Sequence, residues 1–121
     1  MMFDKYCVDK ILSGEKTVTR RIYRGFNKND ELIYRQKRPA VPGRIHKIKI
    51  DRTKKTYGYI KIKSCTKEIL SRGLSDINEV YKEGFTDRDE YIDYFKKVNN
   101  LKYPNNWVWR VEFEYLGDSY E

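Results

Sequence analysis

The sequence predicts an α+β domain: a small, partly open β-barrel of mixed, mostly antiparallel strands, flanked by about three helices. Three observations predict it. The chain has 121 residues, enough for one hydrophobic core and too few for two, so residues 1–121 read as a single domain. Apolar residues recur at helical spacing near the start and again past residue 76, but alternate with polar ones elsewhere. The elements do not follow strand–helix–strand order, which argues against a doubly wound parallel sheet. A barrel would bury half-apolar strands on one side and hide their edges.

Phe3, Cys7, Val8, Ile11 and Leu12 fall on one helical stripe, and Gly14 is placed to end that helix. Lys16 to Tyr23 is rich in β-branched residues and reads as a strand. Val18, Arg20 and Ile22 share one of its faces, while Thr17, Thr19, Arg21 and Tyr23 share the other. Residues 24–43 have no clear period and contain Gly25, Pro39, Pro42 and Gly43, the marks of a long loop. Residues 44–52 and 57–65 read as a hairpin joined by Thr53-Lys54-Lys55-Thr56. His46, Ile48 and Ile50 point inward with Ile60 and Ile62, while Lys47, Lys49, Asp51, Lys61 and Lys63 point out. Asp76 and Glu79 form a capping-box pattern for a helix from Ile77 to about Glu83, stopped by Gly84. Thr86 or Asp87 caps the next helix, whose stripe of Tyr91, Tyr94, Phe95 and Val98 suits a core face. Val108 to Tyr115 alternates as a final strand with Trp109, Val111, Phe113 and Tyr115 inward, and Trp107 is expected on the opposite side from Trp109, at the rim.

The charge is concentrated. Residues 20–63 carry 15 basic and 3 acidic side chains, a net of +12, within a chain whose total is +8. Residues 64–121 carry 8 basic and 12 acidic side chains, a net of −4. Tyr23, Phe26, Tyr34, Tyr57 and Tyr59 are interleaved with the cations, a composition suited to tracking phosphates and stacking bases. The expected partner is therefore RNA or another nucleic acid, or a nucleotide-sized ligand. A disordered basic tail would lack the 15% aromatic content.

Other classes are excluded by what the chain lacks. No apolar run is long enough for a membrane helix, and no basic-then-apolar leader opens the sequence, so a cytoplasmic location without membrane contact is the expectation. Two Cys and one His are too few for a disulfide scaffold or a structural zinc site, and neither metal nor cofactor is expected. Gly14-Glu15-Lys16-Thr17 imitates the tail of a phosphate loop without its upstream glycine and strand. His46 has no Gly-x-Ser-x-Gly turn to make a triad with.

What remains is Ile11-Leu12-Ser13-Gly14-Glu15-Lys16-Thr17-Val18-Thr19-Arg20-Arg21, a helix end followed by a strand that carries Lys, Thr and Arg. This segment resembles the opening motif of the ASCH domain family, relatives of the PUA-like barrels. Pro42-Gly43-Arg44-Ile45-His46-Lys47, similar to the loop-to-strand entry of archaeal-type members, then Glu83-Gly84-Phe85 and Trp107-Val108-Trp109-Arg110-Val111-Glu112-Phe113 continue the likeness in family order. The resemblance implies a PUA-like barrel with a cleft between barrel and helices. Family members include amidohydrolases that deacetylate acetylated cytidine, and ribonucleases. By the same resemblance Lys16, Thr19 and Glu83 stand where the amidohydrolases hold their working Lys, Thr and Glu, and Arg21 matches the motif arginine.

Two readings follow. In the first, an RNA-binding domain contacts nucleic acid through Arg20, Arg21, Tyr23, Arg24, Arg35, Lys37, Arg38, His46, Lys47, Lys49, Arg52, Lys54, Lys55 and Trp107, with Lys28 adding a phosphate contact and Phe26 or Tyr34 stacking. In the second, the chain is a hydrolase with Lys16, Thr19 and Glu83 as catalytic residues. A Thr hydroxyl is a poor nucleophile until a base takes its proton, and a Lys amine can serve as that base. Glu83 would then orient Lys16 or protonate a leaving amine.

Overall fold

The computed structural model describes residues 1–50 and 55–119. The class is α+β, built on a five-stranded antiparallel sheet with four helices among the described residues. In chain order the elements are α1 (Lys5–Leu12), β1 (Val18–Phe26), β2 (Leu32–Tyr34), β3 (Ile45–Lys47), β4 (Tyr59–Ile69), α2 (Leu70–Gly73), α3 (Ile77–Lys82), α4 (Arg88–Val98) and β5 (Trp107–Gly117). The sheet order is β2-β1-β5-β4-β3. β2 and β3 lie at its two margins, and no pairing joins them among the described residues. None of the described helices is long and apolar enough to cross a membrane.

The caps expected before α3 and α4 are made, and α1 carries one that was not expected. Asp4 accepts from the Cys7 amide at the start of α1, Asp76 from the Asn78 amide before α3, and Asp87 from the Glu90 amide before α4. α1 ends at Ser13, and Gly14 follows at φ +84°, a left-handed conformation open to glycine at little cost. The stripe on α4 is only partly core. Tyr91 and Phe95 are buried, Tyr94 is half-buried, and Val98 is exposed.

Several elements differ from expectation, among them the short helix α2, which no pattern marked. β1 does not stop at Tyr23 but runs to Phe26 and turns back into β2, with Arg24 opposite Tyr34 and Phe26 opposite Leu32. The Asn27 side chain closes the turn by accepting from the Asn29 and Glu31 amides, so a side chain rather than a Pro or Gly signal makes it. Gly25 is needed within that hairpin, because a Cβ there would lie 2.4 Å from Asn106 Oδ1. The hairpin of β3 and β4 forms, with His46 opposite Ile60, but β4 runs on to Ile69 against β5. Finally, Trp107 lies inside β5, two residues from Trp109, so strand alternation puts both on one face rather than on opposite sides.

Both faces of the sheet are covered. On one, Trp109, Val111 and Phe113 of β5 pack with Ile60, Ile62 and Cys65 of β4 and with Phe3, Val8 and Ile11 at the N-terminus. On the other, Ile22 and Val108 pack with Leu70, Leu74, Val80, Phe85, Tyr91 and Phe95 from the helices. β1 is therefore buried on both sides at Val18, Thr19 and Arg20. A strand with an arginine inside it needs that charge answered, and this requirement shapes the site.

Candidate functional site

After α1 the chain turns at Gly14 and lies beside the end of α3. The Lys16 amide donates to the Lys10 carbonyl and the Thr17 amide to the Lys82 carbonyl. Lys16 and Glu83 form an isolated antiparallel bridge. Gly84, at φ +88°, ends α3 where a Cβ would press on Lys10 Cδ at 2.7 Å. The close approach sets Lys16 and Glu83 side by side, although 67 residues separate them.

Their side chains are almost wholly buried, and the Lys16 amine donates to Glu83 Oε1 at 2.5 Å, the Val18 carbonyl at 2.8 Å and the Glu83 carbonyl at 3.3 Å. The other Glu83 oxygen accepts from Arg20 at 3.0 Å and from the Tyr91 hydroxyl at 2.9 Å. Arg20 donates further to Glu68 at 2.7 Å and to Glu79 at 2.7 Å. Arg110, opposite Arg20 in the β1–β5 register, completes the set on Glu79. One buried guanidinium thus meets three carboxylates from β4, α3 and its C-cap. Burial alone disfavours the Arg20 charge, but Glu83 and the other nearby groups more than reverse that and raise its pKa. Such a network holds the opening strand against the helices.

Glu79 gives the network a pH signature. Burial pushes its carboxyl up, but Arg110, Arg20 and Lys82 outweigh that and hold it at about 2, below the ordinary 4.5. A depressed carboxyl stabilises the fold fully above its unfolded pKa, and the contribution disappears as pH falls through the folded one. Urea midpoints are therefore expected to decline between pH 4.5 and about 2. Glu79→Gln should flatten that decline; an unchanged acid profile would show that Glu79 does not supply it.

Thr19, Arg21 and the Lys16–Glu83 pair line one cavity of about 290 Å³ beside α1 and α4. Cys7 and Tyr94 line it too, with Sγ and the hydroxyl 3.1 Å apart, and the Tyr94 hydroxyl also bonds Asp4. Burial raises the Cys7 thiol, and burial with the bond to Asp4 raises the Tyr94 hydroxyl. Arg21 donates to the Met2 carbonyl at 2.7 Å and lies 4.9 Å from the Phe3 ring centroid. Its Nε is buried with no partner, and burial lowers its pKa.

The structure brings Lys16, Thr19, Glu83 and Arg21 together on one cavity, which Arg20 also lines. Arg20, expected on the phosphate-binding surface, is instead enclosed by Glu68, Glu79 and Glu83, which leaves none of its side chain for a phosphate. Glu83 pairs with Lys16 and Arg20, while Arg21, the next residue of β1, faces the other side. Arg24, Arg35, Lys37, Arg38, Lys47 and Lys55 are exposed, and Lys49 is half-buried. Lys55 lies over the Tyr57 ring at 4.7 Å. His46 is half-buried, its pKa lowered by burial and then by the nearby N-terminal amine and Arg44. Arg52 and Lys54 lie outside the described residues. Tyr23, Arg24 and Trp107 share a groove with Lys67, which the basic segment did not include. Glu68, Glu79, Arg110 and Tyr91 were also missed as members of the buried network, and the Arg20/Arg110 pairing is visible only in the strand register. No family model, curated protein or solved structure matches this chain.

Proposed function

We propose that this chain is an RNA-binding domain that holds the nucleic-acid backbone on the basic surface of residues 20–63. One observation carries the reading. Of the 13 cations of that segment within the described residues, ten are exposed: Arg24, Lys28, Arg35, Lys37, Arg38, Arg44, Lys47, Lys55, Lys61 and Lys63. Among the described residues no ion pair holds Arg24, Arg35, Lys37, Arg38 or Lys47. Glu68, Glu79 and Glu83 are turned inward onto Arg20 and Lys16, so acidic groups that could quench the surface are engaged elsewhere. Such a surface attracts polyanions and gains affinity by releasing their counterions.

The likeness to ASCH domains belongs to this reading, and so does a partly open PUA-like barrel. The antiparallel order β2-β1-β5-β4-β3 supports it. So does the packing of Phe3, α1 and Ala40 over one face, with the Trp109 indole donating to the Arg35 carbonyl at 3.0 Å.

The test is fluorescence anisotropy with a labelled RNA oligonucleotide. Replacing Arg35, Lys37 and Arg38 by Ser should reduce the slope of log affinity against log salt by about 2, at roughly 0.7 for each phosphate no longer neutralised. Unchanged binding by the triple variant, or no binding by the wild type at low salt, would defeat the proposal.

A second reading, hydrolysis of acetylated cytidine or of RNA, is favoured by the meeting of Lys16, Thr19 and Glu83 in one cavity with Arg21. It ranks second because the Lys16 amine already donates to three acceptors, which suits an anchor better than a base. Incubation with acetylated cytidine and with labelled RNA should give turnover that Thr19→Val abolishes. An inactive wild type, or turnover that survives in the variant, would remove the reading.

A further inference from the structure

The groove that holds Tyr23, Arg24 and Trp107 is built by an irregularity in the sheet. In the β1–β5 ladder Ile22 faces Val108, yet Arg24 faces Trp107, so Tyr23 and Arg24 together oppose one residue. A bulge of this kind re-aims side chains at a sheet margin. Arg24 is also opposite Tyr34 of β2, so Tyr34, Arg24 and Trp107 occupy successive positions across three strands. Leu32 and Lys67 complete the lining.

The floor is fixed and the walls are exposed. Tyr23 packs edge-on against buried Trp109 at 5.4 Å and lies 5.4 Å from Tyr34. Lys67 reaches over both the Tyr23 and Trp109 rings, at 4.6 and 5.3 Å. Tyr34 remains 49% exposed and Trp107 44% exposed, two large flat rings left to solvent in one groove. Among the described residues no acidic side chain lines the groove, and Arg24 and Lys67 give it positive charge.

We propose that this groove takes an unpaired nucleobase of single-stranded RNA, stacked on Trp107 and Tyr34, with the adjoining phosphates on Arg24 and Lys67. The proposal rests on the RNA-binding reading and specifies the form of RNA. Aromatic faces stack on any base whose own face is open. A duplex keeps all but its terminal base faces inside the stack, so along its length it can use the cations of the surface but not the rings. Lys67 becomes a nucleic-acid contact, although it lies in the half of the chain whose net charge is negative.

The test compares one labelled RNA oligonucleotide, single-stranded and annealed to its complement, by anisotropy at low salt. The single strand should bind more tightly. Trp107→Ala should weaken single-strand binding by about 5- to 150-fold and leave duplex binding unchanged. Trp107→Phe should restore most of the loss, which a merely structural role for the indole would not predict. If the duplex binds as well as the single strand, or if Trp107→Ala affects both equally or neither, this inference falls while the RNA-binding reading stands. If neither RNA binds, both fall together.

Discussion

Glu83→Ala is expected to cost about 3–5 kcal/mol of folding stability, read as a lower urea midpoint. The carboxylate answers two cations at once, Lys16 at 2.5 Å and Arg20 at 3.0 Å, and all three side chains are almost fully buried. Removing it leaves an amine and part of a guanidinium buried without their carboxylate. The Tyr91 hydroxyl also loses its acceptor. Glu68 and Glu79 remain on Arg20, which limits the loss to the Lys16 side and one edge of the guanidinium. The ion pair of Lys102 and Asp30 makes a control, since its side chains are 40% and 65% exposed and Lys102→Ala should leave stability nearly unchanged. Equal effects from the two substitutions would show that the buried network does not hold β1 to the helices.

This network also clarifies what the hydrolase reading would require. A loss of turnover in a Glu83 variant could reflect unfolding alone, whereas Thr19→Val keeps the volume and changes only the hydroxyl. Thr19 is the residue on which the chemistry can be judged.

Much of the fold was legible because its signals are local. The Asp caps of α3 and α4 lie within three residues of the amides they satisfy, and β5 alternates over its apolar positions. β2 and α2 were not legible, since three and four residues are too short to show a period. The capping box before α3 was half legible. Asp76 caps the helix, but Glu79 turns its carboxylate to Arg20 and Arg110 instead of back along the chain. The site divides in the same way. Strand alternation placed Arg20 with Val18 and Ile22 on one face of β1, yet its charge drew it onto the expected surface. Its carboxylate partners Glu68 and Glu79 lie 48 and 59 residues away, and only the tertiary fold brings them there. The Lys16, Thr19 and Glu83 grouping came from resemblance, and the cavity supplies its geometry.

The second large effect is in salt. If about five surface cations each neutralise a phosphate of single-stranded RNA, log affinity should fall against log salt with a slope of about −3.5. Between roughly 50 and 200 mM salt that is about a hundredfold weaker binding. Arg20 and Lys16 contribute nothing to this slope because their charges are answered inside the protein. An aromatic site acting alone would bind with little salt dependence, so the slope separates phosphate contact from stacking. The most direct measurement is therefore the affinity of wild-type protein for a labelled single-stranded RNA across that salt range. A steep decline is the expected result; binding that does not change with salt, or no binding at the low end, would contradict RNA recognition by the basic surface.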